Sequence, residues 1–337
     1  MGMGASSAAI PDTPTIGTAT TVNDTSATVT YTAAVLGATG TTFTATSSPS
    51  SITGTGASPI TVSGLTGATN YTFTVTATNS NGTSAASSAS NQITTDASGP
   101  KATGGTITDD ASYFYHTFLS SGTFTPSISL SCTYLVVAGG AGARSGGGGA
   151  GGLRSATETL SASTNYAATV GAGSAGGDWG TYLNAPGSGS SFNGLSSAGG
   201  GNGGTVNSDN AIAGGSGGGG GGIFGQTRAG AAGNTPATSP SQGNGGGTSP
   251  GNSNQIGGGG GGAGSVGSGN TAGAGSSAYS SWASVTSTGV SGVYAAGGTG
   301  MGGGGSAGPA NSGNGGSGGG FTGYNGGSGI VIVRYAK

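Results

Sequence analysis

The chain has 337 residues, of which 83 are glycine; only 4% are charged, and the net charge is −2. That balance leaves no basic surface for a polyanion such as nucleic acid and no polybasic stretch for a membrane surface. The single cysteine, Cys132, excludes an intrachain disulfide, and no apolar run approaches the ~20 residues of a membrane-spanning helix.

Residues 1–10 read as an N-terminal arm, without the basic and apolar segments of a secretory leader. Residues 11–97 read as strands. In Tyr71-Thr-Phe-Thr-Val-Thr-Ala-Thr78 the odd positions are apolar and the even ones are threonine. A period of two places Tyr71, Phe73, Val75 and Ala77 on one buried face. Ala27–Ala33 repeats the pattern, and Thr41–Ser47, Pro59–Ser63 and Asn91–Thr95 are further strands. Gly64-Leu-Thr-Gly67 and Asn79-Ser-Asn-Gly82 supply turns. Short strands at this spacing predict a β-sandwich.

Gly64-Leu65, then Ala68-Thr-Asn-Tyr71-Thr-Phe73-Thr-Val75-Thr-Ala77-Thr-Asn79, a Gly82 turn and a serine-rich last strand resemble a fibronectin type III domain. The resemblance implies that Leu65 and Tyr71 close the corner of the second sheet. Tyr31 stands where that family carries a tryptophan. Such domains act as spacers and binding modules, and the fold alone names no ligand.

Composition changes near Ser98-Gly-Pro100: 72 of the 83 glycines lie beyond residue 100. Residues 98–111 read as a linker and 112–337 as a second, glycine-rich domain. Its strands are aromatic and alternating over Ser112–Phe118 and Ser121–Pro126. Ile128–Cys132 leads into Tyr134–Ala138, and shorter strands follow toward Val170 and over Ser190–Leu195. Ile330–Tyr335, with Ile-Val-Ile-Val, has the pattern of a strand buried on both faces. Between the strands lie glycine runs at 146–149, 199–201, 217–222, 245–247, 257–262, 302–305 and 318–320. Glycine chains can pack as polyproline-II-type helices with three residues per turn, cross-linked by backbone hydrogen bonds. Residues 257–262 would then span roughly 19 Å. No Gly-X-Y period with proline persists, which excludes collagen. The fold expected is all-β: a fibronectin type III-like sandwich followed by a glycine-rich sandwich carrying packed polyglycine-II helices.

The order of Ser121-Gly-Thr-Phe124, Tyr134-Leu-Val-Val-Ala-Gly-Gly140, Gly146–Gly152, Tyr166…Val170-Gly-Ala-Gly173, Gly189-Ser-Ser-Phe192 and Gly326–Tyr335 resembles the glycine-rich domain of bacteriophage tail-fibre and adhesin proteins. The resemblance implies a non-enzymatic virion structural protein, located on a tail fibre or other surface appendage. It also implies a homotrimer that joins other virion proteins and touches a host-surface receptor, a glycan or an outer-membrane protein. A capsid-decorating head fibre and a polyglycine ice-binding or other extracellular structural protein are the alternatives. It transfers no binding residue.

Catalysis needs convergent ionisable groups, and few are present. His116 shares its strand parity with Phe114 and Phe118, which points to a structural place. Asp109-Asp110 reads as a solvated turn, with a calcium loop as the alternative. No cofactor or metal and no membrane insertion is expected. The inserts between runs carry Trp179, Tyr182, Arg228, Tyr279, Trp282 and Tyr324. These are the candidate receptor-binding residues, because aromatic rings supply contact area at low entropic cost. The four rings Trp179, Tyr182, Tyr279 and Trp282 equally suit capping of the bundle ends. Ile223 and Phe224 read as core.

Overall fold

The computed structural model describes residues 9–34, 38–40, 42–96, 99–177, 185–206, 211–222, 224–251, 255–319 and 322–337. The chain divides into two compact units, Met1–Gly99 and Pro100–Lys337.

The first unit contains β1 (Thr15–Thr21), β2 (Ser26–Thr32), β3 (Thr42–Ser48), β4 (Thr53–Thr55), β5 (Ile60–Ser63), β6 (Asn70–Asn79), β7 (Gly82–Thr83) and β8 (Ile93–Thr94). They form two antiparallel sheets, β1-β2-β5 and β4-β3-β6-β7, with β8 on β6. The alternation along β6 takes effect as written: Tyr71, Phe73, Val75 and Ala77 are buried. Tyr71, Phe73 and Val75 meet Ala27, Val29, Ile60 and Val62 of the opposite sheet in one core. Leu65 is buried, and the Tyr71 hydroxyl accepts the Thr66 N–H at 3.0 Å, closing the corner before β6. Tyr31 is half-buried and stacks on Phe43 at 4.5 Å between ring centroids.

The last stretch of this unit departs from a β ladder. Ser84, Ser87 and Ser90 donate their N–H groups to the carbonyls of Ala77, Val75 and Phe73. Their hydroxyls accept the N–H groups of those same three residues at 2.9–3.0 Å. Each serine also donates its hydroxyl proton to the carbonyl of the next residue. A three-residue serine period therefore satisfies an edge that steps by two, the hydroxyl replacing the missing backbone acceptor. Ser87→Ala leaves the buried Val75 N–H without a partner. We expect a loss of ~1–3 kcal/mol in denaturant unfolding, whereas exposed Ser88→Ala costs little. Equal effects would remove the hydroxyl from this account.

The second unit contains β9 (Ala102–Thr103), β10 (Thr106–Asp109), β11 (Tyr113–Phe118), β12 (Gly122–Pro126), β13 (Leu130–Val137), β14 (Leu153–Leu160), β15 (Tyr166–Thr169), β16 (Ser190–Phe192), β17 (Leu195–Ser197), α1 (Ser280–Thr286) and β18 (Ile330–Ala336). The stretch read as a linker thus holds two strands. The sheet orders are β10-β11-β18-β13-β14 and β17-β16-β15-β12-β9. Cys132, Tyr134, Val136, Val331, Val333 and Tyr335 face the second sheet and pack on Phe124 and Phe192. Their neighbours Leu135, Val137, Ile330 and Ile332 enter a different core with Tyr115, Trp282 and Tyr294. The central strands are therefore buried on both faces, which is why they lack polar alternation.

The second covering layer is the glycine bundle. At three residues per turn, successive N–H groups point 120° apart and reach different neighbours. Along the central rod, Gly146 and Gly149 donate to Gly204 and Gly201; Gly147 and Ala150 donate to Gly258 and Gly261; Gly148 and Gly151 donate to Gly316 and Gly313. These bonds measure 2.8–3.0 Å. Its carbonyls accept from Ala141, Ser216, Gly219 and Gly298 on other rods. Rising partner numbers mark 258–261 as parallel to the rod, and falling ones mark 201–204 and 313–316 as antiparallel. The rod is enclosed by backbone on every side, and a Cβ on any residue from Gly146 to Gly149 would overlap a neighbouring carbonyl oxygen.

Two expectations are corrected here. Residues 302–305 form no rod: they are exposed, and Gly302 and Gly304 take φ of +97° and +83°, as a turn requires. Rods also form where alanine and threonine interrupt the glycines, as at 138–143 and 295–300. The all-β expectation holds, with one short helix among the described residues, α1, which ends on Ser287 in the left-handed region, with φ of 53°. Seven residues are too few to display a helical period. Among the described residues, no helix is long and apolar enough to cross a membrane.

Candidate functional site

The rods run between the β10-β11-β18-β13-β14 sheet and a far end, where many of their turns gather. Ser145 lies at that end. Its carbonyl accepts the Met301 N–H at 2.8 Å and its hydroxyl accepts the Gly222 N–H at 2.8 Å. The Tyr324 carbonyl accepts from Ala143, and the Asn270 carbonyl accepts from Gly300. Turns close to one another in space thus come from widely separated parts of the sequence.

The structure distributes the candidate residues between two opposite ends. Tyr324 lies at the far end, 39% exposed, its ring packed against Gly305. Arg228 is half-buried near the same end, its backbone exchanging hydrogen bonds with Ser249. Trp179 and Tyr182 lie outside the described residues. Phe224 is 63% exposed beside the far-end turn at Gly225, which corrects its reading as core; Ile223 lies outside the described residues. Turn hydrophobics of this kind carry no periodic signal that separates core from surface.

Tyr279 and Trp282 lie at the sheet end. Trp282 is 3% exposed, edge-on to Tyr115 at 5.9 Å and to Tyr279 at 5.2 Å. The Arg334 guanidinium sits 4.4 Å from the Trp282 ring centroid and 4.2 Å from that of Tyr113. Of its two readings, Trp282 takes that of a cap, because its faces are already covered. Tyr279 is half-buried and donates its hydroxyl proton to Ser155. Arg334 was not singled out in the sequence, where the closing Val-Arg-Tyr reads as the end of a strand.

The ionisable groups singled out in the sequence, Asp109, Asp110, His116 and Cys132, hold structural places. The Asp110 carboxylate accepts the N–H groups of Ser112 and Tyr113 and the Tyr115 hydroxyl, at 2.7–2.8 Å. These bonds, that of Ser112 foremost, hold its pKa below the ordinary carboxylate value. Asp109 pairs with Lys337. His116 is fully buried; its Nδ1–H donates to the Gly104 carbonyl at 2.7 Å, leaving Nε2 to accept from the Tyr335 hydroxyl at 3.1 Å. Burial lowers its pKa, so the ring is neutral near pH 7. Burial pushes the Cys132 thiol up to about 12, far from the thiolate a nucleophile needs. No group of three or more His, Cys, Asp or Glu side chains suited to a metal ion occurs among the described residues.

The second unit is thus a β-sandwich carrying a polyglycine-II bundle on one sheet. Residues 118–336 match the glycine-rich domain family, and the chain belongs to that family. No match was found among curated proteins. Among solved structures, a two-fibronectin-type-III-domain segment from chicken tenascin aligns at 13% identity with a TM-score of 0.19, covering 48% of this chain and 90% of that one. That overlap is too low to carry an argument, so the sandwich of the first unit stands on its own sheet order and corner tyrosine.

Proposed function

We propose that the chain is a structural protein of a virion, a phage tail fibre or host-recognition adhesin, that binds a host-surface receptor through the far-end turns of its glycine bundle. The observation that carries this reading is the gathering of sequence-distant turns on a scaffold whose rods are locked by backbone hydrogen bonds. Such a scaffold leaves turn sequences free to vary, because the rods require only small residues and their own N–H and C=O groups. Exposed Phe224 and Tyr324, with Arg228 nearby, provide rigid contact area there. The first unit serves as spacer or docking module, and assembly as a homotrimer with other virion proteins follows from the resemblance.

The test is adsorption of the full chain to cells of the bacterium its virion infects. Phe224→Ser with Tyr324→Ala is expected to weaken binding by about 100-fold while thermal unfolding stays unchanged. Undiminished adsorption would move the receptor surface elsewhere. Labelled antibody against the first unit, imaged on intact particles, locates the chain on tail or head.

A further inference from the structure

The sheet end of the bundle carries a separate cleft of about 230 Å³. Its walls come from edge strand β14, the 234–242 insert and the approach to α1, contributing Ser155, Pro240, Ser241, Ser276 and Tyr279. We propose that this cleft binds a single neutral pyranose ring, as a saccharide subsite distinct from the far-end turns.

Three observations converge on that ligand class. First, the cleft presents no charge. Arg154 borders it, but the register with Val136 sends its side chain to the other face of the sheet, where Nη1 donates to the Ser196 carbonyl at 3.0 Å. Nothing remains to neutralise a carboxylate or phosphate, so charged sugars are disfavoured. Second, hydroxyls and an aromatic face occur together. Ser155 accepts the proton of Tyr279 and keeps its own to donate, and Ser276 adds a second hydroxyl. Tyr279 and Pro240 offer apolar surface for the C–H face of a sugar, so one ligand must be polar at its rim and apolar on its face. Third, the walls are held before any ligand arrives. Buried Gln242 accepts the Ala198 N–H at 2.8 Å and donates to the Pro236 carbonyl at 2.7 Å, fixing the insert. Tyr279 is held by Ser155 on one side and Trp282 on the other. Pre-organisation lowers the ordering cost of binding. The volume lies below the roughly 300–1,000 Å³ of sites that enclose drug-sized ligands, which sets the occupant at one ring.

This inference rests on the cleft alone and does not require the far-end reading. The experiment is saturation-transfer NMR on the full chain with methyl glucoside, methyl galactoside, methyl mannoside and, as the charged comparison, methyl glucuronide. Transfer to at least one neutral glycoside and none to the glucuronide is expected. Ser241→Trp, a surface change that fills the cleft, is expected to weaken that signal by about tenfold or more. Phe224→Ser with Tyr324→Ala leaves it intact. Absence of transfer from every neutral glycoside, equal transfer to the glucuronide, or a signal that survives Ser241→Trp overturns the proposal. A signal lost only on the far-end substitutions overturns it too, by placing the sugar at the other end.

Discussion

Gly148→Ala is expected to destabilise the second unit by ~3 kcal/mol or more, lowering its melting temperature by roughly 6–12 °C. Gly148 donates to Gly316, its carbonyl accepts from Gly298, and a Cβ would overlap the Ala141 carbonyl oxygen. The neighbour cannot give way, because each rod in contact with this one is hydrogen-bonded to further rods. Gly245→Ala is the matched control. It lies in a rod on the outside of the bundle, where the nearest atom to a new Cβ is the Ala231 carbonyl oxygen at 3.2 Å. Its expected shift is within about 2 °C. Two equal shifts, read by calorimetry, would mean that general backbone entropy rather than close rod packing makes glycine necessary.

Trp282→Ala carries the other large effect, ~3–5 kcal/mol and roughly 6–20 °C. The indole fills the space between the sheet and the bundle, against Tyr115, Tyr279 and Arg334. Its removal leaves a cavity and uncovers the guanidinium stack. Trp282→Phe keeps part of the aromatic contact and is expected to recover part of the loss. At temperatures where the alanine variant remains folded, adsorption to cells should match the unsubstituted chain. An unchanged melting temperature with abolished adsorption would restore Trp282 to the receptor surface.

Strand β6 could be read directly from the amino-acid sequence, because it has one wet face and one dry face and so alternates. Strand β18 could be recognised as buried on both sides for the opposite reason, the absence of alternation. Strand β14 escaped notice: its sequence Leu-Arg-Ser-Ala-Thr-Glu-Thr-Leu is mostly polar, as suits a sheet edge. The glycine runs announced rods but not their extent. Gly302–Gly305 resembles Gly217–Gly220 in composition, yet one is an exposed turn and the other lies within the lattice. A rod exists only where neighbouring chains complete its hydrogen bonds, and a run of glycines carries no record of those neighbours.

The candidate site divides along the same line. Residue type identified rings and an arginine among the interruptions, since contact area and charge belong to the side chain itself. Whether a ring caps the bundle or faces outward depends on the end at which its loop turns, and that is set by contacts far away in the chain. Trp282 and Tyr324 are both aromatic residues between glycine-rich segments; one is 3% exposed beside β11 and β18, the other 39% exposed at the far end. Composition and alternation were enough to predict strands, glycine rods and scarce ionisable chemistry, because these follow from local backbone freedom and side-chain polarity. The packing partners of each rod, and hence the gathering of turns and the sheet-end cleft, arise from hydrogen bonds between segments as far apart as Gly140 and Gly327. Those bonds join backbone groups that every residue type other than proline carries, so side-chain identity alone cannot specify the pairing.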